Sequence, residues 1–367
     1  MPDGSSPYHH APLTLLPQDA GDESPACLDG SPYGFYFSKS TTGSTKWTIS
    51  IEGGGWCYDE DACFTRSKMA LGSSKGWSKT GGCVCMNADG DGLATDCNCL
   101  HMPYADGASF SGYRATPWPV PGSNGTQLLT FRGIKNFDST INWALAHGLD
   151  KATEFVLTGG SAGGLSTFLH MDRASDAIKK VNPSVKTRGA PVVGYFLDHP
   201  NFLGTDGGEP NTKTWEGTAN YTEKMKYIYT MQNLTFGSDG GLSSACQSAF
   251  PDDPHYCFMS PHMQKFIQTP FYIFNSKCMY KPLTMYHEIT FLYRRRVANG
   301  KHPADWVPVQ AERDQPIHNM PLCTSQLQQH QSGCNHQVWR GLPSRSSTCG
   351  TGTAKRGFHY LLHLPWV

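Results

Sequence analysis

Short apolar runs separated by glycine-rich turns dominate the first three quarters of the chain. Tyr33 to Phe37 and Lys46 to Ile51 are rich in aromatic and β-branched residues, which pack well on a pleated surface, and each reads as a strand. Leu128-Leu129-Thr130-Phe131 is a shorter run of the same kind. From Asn136 to His147 the period changes: Phe137, Ile141, Ala144 and Leu145 recur near helical spacing, and Gly148 can close the helix. Phe155-Val156-Leu157 returns to strand, and Thr167 to Met171 has helical character. Pro191 to Asp198 and Thr269 to Ser276 read as the last two strands. Strands alternating with helices predict an α/β fold, a mostly parallel sheet flanked by helices, with its chemistry at the carboxyl ends of the strands. Residues 1–24, rich in Pro, Gly, Ser and Asp, read as a poorly ordered lead-in. Residues 25–300 form the α/β domain, and 301–367, with little core periodicity, an atypical C-terminal part of it.

Charge and cysteine usage narrow the class. Thirty basic and thirty acidic residues leave no net field that would draw nucleic acid or an anionic membrane. Arg294-Arg295-Arg296 reads as a solvated helix face rather than a binding patch. No stretch reaches the ~18 consecutive apolar residues a membrane span needs. Thirteen cysteines point to an oxidising compartment, and the odd number leaves at least one thiol unpaired or paired outside the chain. Asn124, Asn220 and Asn233 each open an N-glycosylation pattern, in line with secretion, yet residues 1–18 lack the basic start and apolar core of a signal peptide. The Gly- and Ser-rich stretch 72–99 reads as an insertion tied by disulfides among Cys83, Cys85, Cys97 and Cys99, because C-x-C is tighter than usual zinc-ligand spacing. Asn87 to Gly92 resembles the start of a calcium loop, but Asn98 stands where a bidentate Glu is required, so no metal is expected.

Candidate chemistry centres on Gly159-Gly160-Ser161-Ala162-Gly163. G-x-S-x-G occurs in ordinary loops too, but a strand before and a helix after fit a nucleophile elbow, which lifts the serine hydroxyl off the sheet. Upstream, the Lys46–Ile51 strand runs into Glu52-Gly53-Gly54-Gly55-Trp56-Cys57. Three glycines at a strand end expose backbone N–H groups, as an oxyanion hole requires; the alternative is a flexible turn. Asp106, in the small-residue loop Met102 to Gly112, fits a turn cap as well as a ligand contact.

Several of these segments, in order, resemble one family. They are Cys27 to Pro32, Ile51 to Cys57, Pro103 to Gly112, Phe131-Arg132-Gly133, Gly159 to Gly164, Gly194 to Asp198 and Thr269 to Ser276. Together they resemble the pectin acetylesterase family, which also contains the Wnt-deacylating carboxylesterase Notum. The resemblance implies an α/β-hydrolase fold, a Ser-His-Asp triad, no cofactor, and removal of O-acyl groups from an acetylated polysaccharide by a secreted, extracellular or cell-wall enzyme, expected to be a monomer. It makes Ser161 the nucleophile and gives the oxyanion hole to Gly54, Gly55 and Ala162.

Three departures stand beside it. The family acid follows the last strand as an aspartate, whereas this chain reads Lys277-Cys278-Met279-Tyr280-Lys281 with no carboxylate before Glu288. Asp198 is a candidate replacement, or else a turn-capping or substrate-contacting carboxylate. The family loop has a cysteine where this chain has Ala105, so one family disulfide is expected to be absent. The family's Ser-Cys-x-x-His-Cys-like element is missing; counting on from Cys323 reaches His363, and Cys334-Asn335-His336 offers His336, both of which also fit surface histidines of a loop-rich tail. Two further readings follow: an impaired homologue that binds carbohydrate without turnover, and a Notum-like lipid-ester deacylase whose acyl pocket the aromatic stretch Tyr221 to Phe236 could line.

Overall fold

Nine strands among the described residues pair into one sheet, with a separate two-stranded hairpin. In chain order the strands are β1 (Tyr8–Leu15), β2 (Gly34–Ser38), β3 (Lys46–Ile51), β4 (Thr80–Val84), β5 (Asn98–Met102), β6 (Trp118–Gly122), β7 (Gly125–Leu129), β8 (Glu154–Gly160), β9 (Lys186–Val192), β10 (Phe271–Ser276) and β11 (Thr290–Arg295). The helices are α1 (Glu60–Arg66), α2 (Gly133–Ala146), α3 (Ala162–Val181), α4 (Tyr221–Met231), α5 (Ser244–Ala249) and α6 (Ser260–Met263). The computed structural model describes residues 8–18, 24–88, 93–122, 125–198, 221–235, 240–276 and 290–295. All fall in a unit spanning 6–304; a second unit, residues 1–5 and 305–367, lies outside them.

The sheet runs β11-β10-β9-β8-β3-β5-β2-β1-β4. Its centre, β10-β9-β8-β3-β5, is parallel, and antiparallel strands close both flanks. Parallel strands are covered on both faces, so β3 and β8 are buried along nearly their whole length. On one face lies α3, whose first ten residues, Ala162 through Met171, are all buried. Its hydroxyls Ser166 Oγ and Thr167 Oγ1 are satisfied by donating back to Ala162 O and Gly163 O, each at 3.0 Å. The hairpin β6–β7 packs with Leu28, Phe131 and Met231 in a smaller cluster.

Several boundaries differ from the sequence reading. Tyr8–Leu15, inside the expected lead-in, is a strand held on both sides by β2 and β4. Its His- and Pro-containing sequence carries little β signal of its own, and pairing supplies the order. The strand expected at Pro191–Asp198 lies at Lys186–Val192. Val193 takes φ 49 and ends it, and the next residues turn onto α3, where Gly194 meets Gly164 backbone to backbone. Arg294 and Arg295, expected on a helix face, lie in β11 opposite Tyr272 and Phe271; Arg296 lies outside the described residues.

Among the described residues four disulfides join Cys57–Cys63, Cys83–Cys99, Cys85–Cys97 and Cys246–Cys257. The four C-x-C cysteines therefore pair with one another, as expected. Cys27 is a buried free thiol, pushed up to about 12 by burial, and Leu28 N–H beside it donates to the carbonyl of Ala105. Asn233 turns its side-chain amide to Tyr113 O at 3.2 Å. Asn124, Asn220 and residues 89–92 of the calcium-like loop lie outside the described residues.

Candidate active site

Register brings the candidate residues together. Ile51 at the end of β3 stands opposite both Met102 of β5 and Gly159 of β8, and Gly160 stands opposite Val192 of β9. Four parallel strands thus release their chains side by side. The Gly53–Gly55 turn, the loop 103–112, Ser161 and the segment 193–198 all leave from one carboxyl edge, where open α/β sheets place ligands.

Ser161 has φ 55 and ψ −122, a conformation that residues with a β-carbon rarely adopt. It is pinned there: its N–H donates to Val192 O at 2.9 Å and its carbonyl accepts from Leu165 N at 3.0 Å. Ala162 is the first residue of α3, so its N–H has no partner within the helix, and the helix dipole directs positive potential to the same place. Across from it, Gly53 packs so closely that a β-carbon would lie 2.3 Å from Gly160 O and 2.9 Å from Ser161 Cβ. Gly55 follows at φ +65, a left-handed turn that glycine adopts without strain. Among the described residues no acceptor meets the N–H of Gly54 or Gly55. The elbow, the glycine turn and the start of α3 therefore lie together at one edge of the sheet, with the N–H groups of Gly54 and Gly55 unclaimed among the described residues. Unclaimed N–H groups beside a serine hydroxyl are what stabilising an oxyanion requires.

A buried polar network, which sequence reading missed, joins the two sides. Trp56 Nε1 donates to Ser109 Oγ, which donates to Ala162 O, each at 2.9 Å. Ser109, at φ 52, also donates its N–H to Tyr104 Oη at 2.8 Å, and His170 Nε2 lies 3.0 Å from its carbonyl. Burial pushes His170 down to about 3, so it is neutral; it packs on Phe137, and its Nε2 is engaged by Ser109 O and Ser111 Oγ. Glu52 is half-buried, its acidity lowered by partial burial, with Oε2 accepting from Tyr104 N at 2.7 Å. The only sequence trace of this network is the run of small residues around Ser109.

Asp106 proves to be a turn carboxylate. Its Oδ2 accepts from Phe110 N at 2.7 Å and Ala108 N at 3.3 Å, and burial raises it from 3.8 to about 7. Because its pKa is raised on folding, the folded chain holds this proton more tightly than the unfolded one. That contribution is complete below 3.8 and is lost as pH rises to about 7, and Glu52 acts in the same direction. Asp106→Asn is therefore expected to flatten the fall in stability over that interval, as read by urea midpoints across it. An unchanged slope would show that Asp106 titrates normally.

Asp198, the candidate replacement acid, is already engaged. Its Oδ2 lies 2.8 Å from His262 Nε2 of α6, and its Oδ1 accepts from Thr222 Oγ1. The pair is about a quarter exposed, with side chains at 22% and 27%. No histidine among the described residues hydrogen-bonds Ser161, and His336, His363 and residues 277–281 lie outside them. His262→Ala is expected to cost about 1 kcal/mol, the scale of one net side-chain hydrogen bond, and to leave the rate of Ser161 labelling within about twofold. Loss of labelling with the fold intact would instead make Asp198–His262 the catalytic pair.

Known proteins resemble this chain over much of its length. Residues 5–285 match the sequence pattern of the Pectinacetylesterase family. Pectin acetylesterase 11 of Arabidopsis thaliana is 29% identical over 273 residues, covering 72% of this chain and 61% of the relative. Pectin acetylesterase 5 of the same plant is 31% identical over 253 residues, covering 68% and 53%. The human palmitoleoyl-protein carboxylesterase NOTUM is 29% identical over 186 residues, 49% of this chain and 36% of that protein. The chain thus spans 61% or less of the length of these relatives. The structure of the Wnt deacylase Notum from Drosophila shares the α/β-hydrolase fold, with a TM-score of 0.58 at 24% identity over 73% of this chain and 71% of that one. With the family pattern matched over more than half its length, the chain belongs to the pectinacetylesterase family.

Proposed function

We propose that the chain is a serine carboxylesterase, carried by the 25–300 domain, that removes O-acetyl groups from a secreted or wall polysaccharide such as pectin. The observation that carries this reading is Ser161 at φ 55, wedged between the Gly53–Gly55 turn and the N-terminus of α3. Ser161 Oγ attacks the acetyl carbonyl, and the N–H groups of Gly54, Gly55 and Ala162 hold the developing oxyanion. A histidine takes the proton and returns it to the sugar oxygen as the C–O bond breaks; water then releases acetate with the same histidine as base. The base assigned by chain position is His363, with His336 the alternative. The similarity to the Arabidopsis pectin acetylesterases supports acetyl as the acyl group, and those relatives cover more of this chain than NOTUM does. Four disulfides support an extracellular, oxidising location, and no helix among the described residues is long and apolar enough to cross a membrane. The chain is taken to act as a monomer.

Acetate release from acetylated pectin and xylan, set beside cleavage of an octanoyl ester, tests the substrate. Faster acetate release supports the reading, and preferential octanoyl cleavage replaces it with a Notum-like deacylase. A folded chain that neither turns over ester nor takes a fluorophosphonate at Ser161 is the non-catalytic carbohydrate-binding homologue.

A further inference from the structure

The carbonyl oxygens of the glycine turn have a partner that the reaction itself does not require. Arg66, the last residue of α1, donates from Nη2 to Gly54 O at 2.8 Å and reaches Trp56 O at 3.3 Å. Its guanidinium lies 5.9 Å from the ring centre of Tyr104, and its positive charge also acts on Asp106. The arginine is well anchored. Helix α1 is capped by Asp59, whose side chain accepts from Ala62 N at 2.7 Å, and the Cys57–Cys63 disulfide ties the turn to the helix. This contact places a full positive charge against the oxyanion turn, on its carbonyl side.

The consequence follows from peptide geometry. Gly54 C=O and Gly55 N–H belong to one planar trans unit and point in opposite directions. Holding the carbonyl toward α1 therefore holds the N–H toward the other side. The unit lies between two glycines, and Gly55 already sits at φ +65, so rotation of the whole peptide plane meets little steric resistance. A flip would present the negative Gly54 carbonyl where a donor is needed, turning attraction for an oxyanion into repulsion. A charged donor on the carbonyl opposes that flip, and it polarises the same amide so that its N–H donates more strongly.

We propose that Arg66 is a positioning residue that latches the Gly54–Gly55 peptide with its N–H facing the oxyanion, acting through the turn without touching substrate. The proposal rests on the esterase reading for its catalytic consequence, whereas the latch itself is a property of the turn. The experiment compares wild type with Arg66→Met and Arg66→Lys, using glycine-selective ¹⁵N labelling to follow the Gly55 amide, alongside p-nitrophenyl acetate kinetics and thermal melting. The expected result is a displaced or broadened Gly55 resonance in Arg66→Met and a fall in kcat of about 10- to 100-fold. That is somewhat less than outright removal of an oxyanion donor, which costs about 10²- to 10³-fold. KM should change by less than about twofold, because the ground-state ester makes little use of the hole. Arg66→Lys keeps one charged donor and should fall between, and it carries the test if Arg66→Met does not fold. An unmoved Gly55 resonance, or a loss of rate that appears in KM with kcat intact, overturns the latch. If wild-type Ser161 takes no fluorophosphonate while the Gly55 resonance moves as expected, the esterase reading fails and the latch stands.

Discussion

Ser161→Ala is expected to abolish covalent labelling by a fluorophosphonate and to lower ester hydrolysis by about 10⁴-fold or more, the scale of losing a nucleophile whose partners act only through it. The folded state should hardly notice. Ser161 Oγ has no hydrogen-bond partner among the described residues, so the substitution orphans no described polar group. Alanine keeps the same β-carbon at φ 55, so the backbone strain is unchanged. A melting temperature within a few degrees of wild type, with activity gone, would separate chemistry from folding. Ser166→Ala is the control. That hydroxyl lies one helical turn further on and is buried, bonded to Ala162 O at 3.0 Å, so labelling should persist. Retained labelling in Ser161→Ala would move the nucleophile elsewhere and remove the basis for the proposed mechanism.

Gly53→Ala should be nearly as damaging, by a different route. The added methyl would sit 2.3 Å from Gly160 O and 2.9 Å from Ser161 Cβ. Neither neighbour can step aside, because Gly160 is tied into the β8–β9 ladder and Ile51 is registered against Gly159 just before the turn. The strands must separate or the elbow must tilt. Overpacking of this kind costs about 1–3 kcal/mol and more when the obstacle is backbone, and about 3 kcal/mol is expected here. A displacement of Ser161 by about 1 Å costs roughly 10²-fold in rate, so activity should fall further than stability alone explains. Gly76→Ala, where a β-carbon meets nothing within 4 Å, should stay within about 0.5 kcal/mol of wild type. Chemical denaturation and p-nitrophenyl acetate turnover measure both effects, and a Gly53→Ala protein with normal activity would show that the turn and elbow are not in contact.

Legibility in the sequence varied with the source of the order. β3 and the β8–α3 junction could be read because their signals are local: an apolar run, a glycine cluster, then helical spacing. β1 and β11 could not, because their residues form strands chiefly by pairing with neighbours distant in sequence or at the edge of the sheet. The end of β9 was misjudged because Val193 to Leu197 continues the apolar texture while the backbone turns away to pack on α3. The C-x-C cysteines announced a tied insertion, but their nested pairing, 83 with 99 and 85 with 97, reflects the antiparallel return of the loop.

Local sequence was enough to reveal the α/β alternation, the family, and the backbone devices: a serine at a glycine-flanked elbow and a strand ending in three glycines. These are short-range steric facts, since a missing β-carbon permits a turn or a close approach wherever it stands. Tertiary structure alone decided who meets whom across the sheet edge. It set Gly53 against Ser161, joined Trp56 to Ala162 through Ser109, gave Asp198 to His262, and aimed Arg66 at the carbonyl of Gly54. Such contacts depend on strand order and register, which bring residues from separate segments within hydrogen-bond reach.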